Sequence, residues 1–287
     1  MLRKLLKYDI ASIGRYWWIL AVTAFGVSGI GGLAIRYLLY TDRVTEMGGV
    51  SDGVFDFFAV LALIICVLTL IVSLVVTPIL IYVRFYKHFF TDEGYLTFTL
   101  PVSRRCLLGS KMLSAMFWIG MQMLLYICCI GMMLVIGIGR GLLSNEVWAM
   151  IFGTVAGVWK SIGVLWGIIY IVEIVLLLAC SVYFSISAVY FCITIGAVVA
   201  KKAKVLLAVG IYYAFNLVMN ILSQFLFVVC LPILAEGFSQ LLASVTVNQG
   251  LLALALLLAV VLAMMAVVST AIYFITLGLL ERKLNLA

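Results

Sequence analysis

Few side chains in this 287-residue sequence could do chemistry, and most of those are uncharged. One acid, Glu173, stands inside the long apolar run Gly163–Val199. Exposing its charge to lipid would cost about 3 kcal/mol. Glu173 must therefore be protonated, face the interior of a helix bundle, or line a wet cavity. The functional reading is a substrate or proton site, and the structural one is a hydrogen-bonded packing residue. Ser181, Ser185, Ser187 and Thr194 follow on the same run. Small and hydroxyl residues so placed suit helix contact or a pathway lining, not a lipid-facing wall. Asn216, Asn220 and Gln224 recur at helical spacing as a polar stripe. They are fit to bond across helices or to line a pathway, and packing is the simpler role.

Other chemistries are excluded by what the residues lack. His88 is the only histidine, so a His-rich metal site is ruled out. The seven cysteines form no C-x-x-C and lie almost entirely in apolar runs, where they read as small hydrophobes. A P-loop needs Gly-Lys-Ser/Thr to cradle and neutralise phosphate, and no Gly-Lys dipeptide occurs among the 24 glycines. The chain is not expected to hydrolyse ATP itself. Gly29-x-Gly31-x-x-Ala34 matches the spacing of a dinucleotide fingerprint, but it sits inside an apolar run with no strand before it. A membrane-embedded enzyme would need an acidic or histidine cluster at a membrane interface, and Asp92–Glu93 is the only carboxylate pair on the basic side.

The elements that position these residues follow from composition. The chain is 67% hydrophobic and 10% charged, where a soluble domain carries about 25% charged residues. Only a bilayer can solvate such a surface. The net charge of +7 comes from Lys and Arg clustered between apolar runs. That is a topology signal, not a nucleic-acid-binding face. A spanning helix needs about 20 mostly apolar residues. Six stretches qualify: Trp17–Leu39, Phe57–Val83, Met112–Ile138, Gly163–Val199, Val205–Leu234 and Gly250–Leu280. The fold expected is all-α, a polytopic membrane protein of one domain, residues 1–287.

Charge then sets orientation. One set of segments holds Arg3, Lys4, Lys7, Arg15, Arg84, Lys87, Arg104, Arg105, Lys111, Lys201, Lys202, Lys204, Arg282 and Lys283. The other holds only Arg36, Arg43, Arg140 and Lys160. The excess places both termini inside the cell. Trp17–Tyr40 is too long for the apolar core of a cleavable signal peptide. Leu2, Leu5, Leu6, Ile10 and Ile13 form an apolar stripe with Arg3, Lys4 and Lys7 off it. Residues 1–16 thus read as an amphipathic helix lying on the inner leaflet before the chain turns into the membrane. The second and fourth spans exceed the bilayer, and the excess after Pro78 should tilt, kink or project. The Arg140–Lys160 loop, with Trp148 and Trp159, predicts a short helix at the outer interface. The apolar segment after Pro232 predicts a re-entrant or interfacial loop. The pairs Gly153/Gly157 and Gly163/Gly167 have the spacing of close helix contacts.

The segment Arg84–Lys111 is the most informative. Thr91 can cap a helix that Asp92 and Glu93 open with favourable charge. Tyr95, Leu96, Phe98 and Leu100 then give a short apolar helix, and Pro101 stops it. Such a helix on the cytoplasmic surface needs a cover. It either packs back on its own helix ends or docks another protein. The run Asp92-Glu93-Gly94-Tyr95-Leu96, then Thr99-Leu100-Pro101-Val102-Ser103, then Lys111, resembles the cytoplasmic loop of exporter-type ABC (ATP-binding-cassette) permeases. It is similar to small permeases of Gram-positive bacteria. The motif covers about thirty residues, and the six-span plan extends the resemblance weakly over the rest.

The resemblance implies a coupling helix in segment 84–111 that docks a separate ATPase subunit through Asp92, Glu93, Gly94, Tyr95, Leu96, Phe98, Leu100 and Pro101. It implies a second contact at 200–204 through Lys201, Lys202 and Lys204. ATP and Mg would bind on the partner, not on this chain. Because six spans are half the family's usual number, a dimer with a second permease copy or a related permease is implied. Glu173, Ser181, Ser185, Asn216 and Asn220 are the candidate pathway residues. No catalytic or metal site is expected. An ion-gradient-driven secondary transporter, with Glu173 as the ion site, is the alternative.

The topology is directly testable in a cysteine-free background. Asn145→Cys and Gln240→Cys should react with an impermeant thiol reagent in intact cells. His88→Cys and Lys202→Cys should react only after permeabilisation. Labelling of position 88 in intact cells would overturn the orientation.

Overall fold

The computed structural model describes residues 2–46, 53–91, 94, 102–139, 145–200, 203–242 and 247–282. The elements along them are helices: α1 (Leu2–Glu46), α2 (Gly53–Phe90), α3 (Arg104–Ile138), α4 (Asn145–Ile162), α5 (Val164–Val199), α6 (Lys204–Leu242) and α7 (Val247–Arg282). Six helices are long and apolar enough to cross a membrane. The chain is thus an all-helical protein of multi-pass membrane character. In hydrocarbon every backbone N–H and C=O must be satisfied internally, and an unbroken helix does this within one segment.

The helices outrun the expected spans. Those six contain 35 to 45 residues each, or about 53 to 68 Å at 1.5 Å per residue. The hydrocarbon core is about 30 Å thick. Residues 1–16 do not form a separate element, because α1 continues through Arg15–Trp18 without a break. The reason is a shared buried register: Ile13, Trp17, Ala21, Ala24 and Ser28 follow one another at spacings of four and three. A turn after residue 16 would take Ile13 and Gly14 off the surface that the rest of α1 packs on. α2 likewise runs through Pro78 to Phe90. The segment after Pro232 is no loop but the continuation of α6 to Leu242.

The chain divides into two compact units. The first comprises Met1–Arg84 and Leu113–Val158. In it α1 and α3 run parallel, since contacts advance together along both. A Cβ at Gly14 would meet the Trp118 ring at 3.2 Å, one at Gly29 the Met132 methyl at 3.5 Å, and one at Gly32 the Ile136 Cβ at 2.9 Å. α2 runs the other way, with Thr77 beside Gln122, Ser73 beside Tyr126 and Cys66 beside Met133. Small residues let the α1 and α3 backbones approach closely. A Cβ on Gly137 would lie 2.8 Å from Ile35 and 3.3 Å from the Gly32 carbonyl. The glycines that matter for packing are these, not Gly153 and Gly157, around which nothing lies within 4 Å.

Gln122 ties the three helices together. Its Oε1 accepts from Trp17 Nε1 at 2.8 Å and from Thr77 Oγ1 at 3.1 Å. Its Nε2 donates to Ser73 Oγ at 3.3 Å. The Ser73 and Tyr126 hydroxyls are 3.0 Å apart, and Tyr126 also donates to the Leu70 carbonyl at 3.2 Å. Gln122, Trp17, Ser73 and Thr77 are all buried.

The second unit comprises Phe85–Met112 and Trp159–Ala287. Here α5 packs against both α6 and α7. Its core is the stretch of α5 from Ile186 to Gly196, with Ile186, Ser187, Tyr190, Cys192 and Thr194 buried. Gly163, with φ of 87°, makes the break between α4 and α5. Gly167 lies under the Trp159 ring, 3.0 Å from where its Cβ would be.

Removing the hub of the first unit should be costly. Gln122→Leu leaves Trp17 Nε1 and Thr77 Oγ1 without their acceptor in a dry interior, a loss of about 1–3 kcal/mol. A thermal melt in detergent should show the decrease. Ser181→Ala, on an exposed face, should leave the melt unchanged.

Candidate functional site

The segment between α2 and α3 is the principal candidate. Asp92, Glu93, Tyr95, Leu96, Phe98, Leu100 and Pro101 lie outside the described residues, as do Lys201 and Lys202 of the second loop. What the structure describes is how the ends of the segment are held. Thr91 does not point forward as a cap. Its hydroxyl donates to the Lys87 carbonyl at 2.6 Å and so closes the end of α2. The Gly94 N–H donates to the Thr91 carbonyl at 2.7 Å. Gly94 is buried against that helix end: a Cβ would sit 2.8 Å from the Phe89 carbonyl oxygen. Only glycine lets the chain fold back this closely.

Both flanks of the segment are anchored within the second unit. The Phe85 ring stacks on Tyr190 of α5, with centroids 3.8 Å apart and planes 6° from parallel. Phe89, fully buried, packs on Phe85 with centroids 4.9 Å apart. On the far flank, Arg104 donates to the Leu280 carbonyl of α7. The Tyr273 hydroxyl reaches the Arg105 carbonyl at 3.5 Å, and the Tyr190 hydroxyl reaches the Lys111 carbonyl at 3.5 Å. Lys111, a residue of the motif, is buried.

The 200–204 segment is described at its two ends. Ala200 is extended (φ −90°, ψ 130°) and its N–H donates to the Gly196 carbonyl at 3.1 Å. Lys204 opens α6. Gly196 and Ala208 face each other across the turn so closely that a Cβ on Gly196 would lie 2.7 Å from Ala208 Cα.

The pathway candidates separate into distinct environments. On α5, Ser181, Ser185, Cys192 and Gly196 share one helical stripe by their spacing. Cys192 and Gly196 are buried, whereas Ser181 and Ser185 are exposed. The stripe is therefore covered near the 200–203 turn and open beyond it. The Gly196–Ala208 and Phe191–Phe215 contacts set the antiparallel register of α5 and α6. That register brings Ser185 level with Asn220, and Ser181 level with Gln224. Asn216 and Asn220 do not bond across helices. Each amide donates to the carbonyl four residues back, Tyr212 and Asn216, at 2.9 Å. Ser187 and Thr194 are buried and also bond to their own helix.

Glu173 stands apart from this group, nine residues into α5 from Val164. Its Oε2 is buried with no hydrogen-bond partner among the described residues. Tyr170, one turn earlier, donates instead to the Leu251 carbonyl of α7 at 2.7 Å. Several buried polar residues escaped the sequence reading, among them Gln122, Asp9, Ser73 and Thr77. Gln122 had a signal available, as a single amide inside the apolar run Met112–Ile138. Among the described residues no group of His, Cys, Asp and Glu could hold a metal ion.

No protein family, curated protein or solved structure matches the chain.

An unpaired carboxylate oxygen is a cost that function tolerates and packing does not. Glu173→Leu should raise the melting temperature in detergent by a few degrees, since a buried polar atom left without a hydrogen bond costs about 1–3 kcal/mol. Glu173→Gln, which keeps size and polarity, should leave the melt nearly unchanged. A lower melting temperature in both variants would assign Glu173 to packing instead.

Proposed function

We propose that this chain is the permease subunit of an ATP-driven exporter of the ABC type. It lies in the cytoplasmic membrane with both termini inside. The observation that carries the reading is the Asp92–Ser103 run, with its acidic start, its apolar body and its Pro-Val-Ser end, placed between the second and third apolar helices on the basic side. A separate ATPase subunit binds ATP and Mg. Closure of two such subunits pushes on the Asp92–Ser103 segment and on the 200–204 turn. The anchored flanks give that push a route. Phe85 and Phe89 bear on α5 through Tyr190, and Arg104 and Arg105 bear on α7 through Leu280 and Tyr273. Two permease halves enclose the pathway.

One observation favours a second reading. The partnerless Oε2 of Glu173 suits an ion or proton site, and hence transport driven by an ion gradient. That reading requires transport in the absence of ATP.

Docking at the Asp92–Ser103 segment separates the two. Loss of a buried aromatic anchor commonly costs about 2 kcal/mol or more, whereas reversing a rim charge costs less and shows mainly in salt dependence. Tyr95→Ala and Phe98→Ala should strip the ATPase from the purified complex, and Glu93→Lys should weaken it in a salt-dependent way. All three should insert with six spans. Co-purification and transport-linked ATP hydrolysis that both survive Tyr95→Ala with Phe98→Ala would remove the docking assignment.

A further inference from the structure

Two of the seven cysteines face other sulfur atoms inside the first unit. The Cys66 thiol of α2 donates to the Met133 thioether of α3, sulfur to sulfur at 3.7 Å. Cys129 stands on the same face of α3, one turn before Met133, and is close enough to Cys66 for the two thiols to interact electrostatically. Both cysteines are fully buried. The third helix, α1, closes on them with a glycine: a Cβ on Gly31 would lie 2.8 Å from Cys66 Sγ and 3.2 Å from the Met133 methyl. One turn away on α1, Ser28 is fully buried too and shares a hydrogen bond with Cys129. A cysteine that only fills space is a small hydrophobe with no need of a sulfur neighbour. Here the fold gathers two thiols and a thioether.

We infer that Cys66, Cys129 and Met133 form a site for a soft monovalent metal ion, copper(I) or its analogue silver(I). Two sulfurs that hold one ion at about 2.3 Å lie about 3.8–4.0 Å apart at tetrahedral or trigonal angles, and the Cys66–Met133 pair already stands at 3.7 Å. The ion takes the place of the thiol hydrogen that Cys66 aims at Met133. Cys66 releases that proton to solvent as its sulfur–metal bond forms, and no electron moves. Thiolate and thioether ligands select copper(I) by their softness. One thiolate with one monovalent ion is neutral, as a helix bundle surrounded by hydrocarbon demands. Zinc would bring a second charge and require four ligands, and His88, the only histidine, lies about 33 Å further along α2. Histidine, cysteine and carboxylates by themselves form no metal-binding group among the described residues; the thioether completes this one. Met133 is only partly buried, so its flexible side chain is the side from which an ion enters. Ser28 orients Cys129 from behind, as outer partners of metal ligands do.

The inference is independent of the permease reading and is tested without any ATPase. The full chain, purified in detergent under a thiol-free reductant, is titrated with copper(I) against a chromogenic copper(I) chelator. One ion should bind per chain. A variant with Cys106, Cys128, Cys180, Cys192 and Cys230 changed to serine should keep that ion. In this background Cys66→Ser and Cys129→Ser should each weaken binding by about tenfold or more. Met133→Leu should do the same with the melting temperature unchanged, because the swap conserves volume. X-ray absorption at the copper edge should show sulfur neighbours at about 2.3 Å. A spectrum of nitrogen or oxygen ligands overturns the site, as does a wild-type chain that takes no copper(I) from the chelator. Undiminished binding in the Cys66→Ser, Cys129→Ser double variant or in Met133→Leu overturns the three-sulfur assignment.

Discussion

Hydrocarbon offers the backbone no hydrogen-bond partner, and the arrangement of this chain follows from that constraint. It explains why the described elements are helices, and why those helices run through prolines and charges instead of stopping at them. It also sorts the polar side chains. A hydroxyl or amide donor can be satisfied on its own helix, by the carbonyl three or four residues back. Thr23, Ser28, Thr69, Ser181, Thr194 and Asn216 do this. An acceptor has no such recourse, because the N–H groups of a helix interior are already spent. The Gln122 carbonyl must therefore be reached from elsewhere, and Trp17 and Thr77 reach it from α1 and α2. That oxygen joins all three helices of the first unit, beside the close glycine contacts of α1 and α3.

The second unit solves its packing by size. Gly196 against Ala208 sets the α5–α6 approach. Buried Ser187 and Ser269, both bonded to their own helices, offer small surfaces to their neighbours. The aromatic stack of Phe85 on Tyr190 fills the wider space. Apolar groups separated from lipid gain little from the hydrophobic effect, so close fit is the force available. This is why the residues at these contacts are either very small or very flat.

What the sequence made legible was the mean environment along the chain. Six runs of apolar residues announce six helices, because a bilayer demands length and hydrophobicity in any context. Their ends were not legible. The stripe from Leu2 to Ile13 looks the same whether it lies on a headgroup layer or continues down to pack on α3, and only the partner surface at Trp118 decides. The apolar segment after Pro232 carries no mark separating a loop from an extended helix. At the candidate site, the motif from Asp92 to Ser103 could be read as residues but not as contacts. Its anchors, Tyr190 and Leu280, lie far along the chain. The Asn216–Asn220 stripe was legible as polar, yet its bonds run along the helix and not across. Gln122 shows the converse: a single amide in an apolar run is easily passed over until three helices meet at it.

The close contact of Gly196 with Ala208 has a mechanical meaning. Gly196 against Ala208 pins one end of the α5–α6 pair, so a rotation of the two helices about that contact would pivot at one extreme end. α5 alone is 36 residues, or about 54 Å, long. A rotation of about 5° at the pivot would carry the far tip of α5 through about 5 Å at that length, nearly the full width of a neighbouring helix backbone. A small rotation at the Gly196–Ala208 contact would thus be amplified along the length of α5.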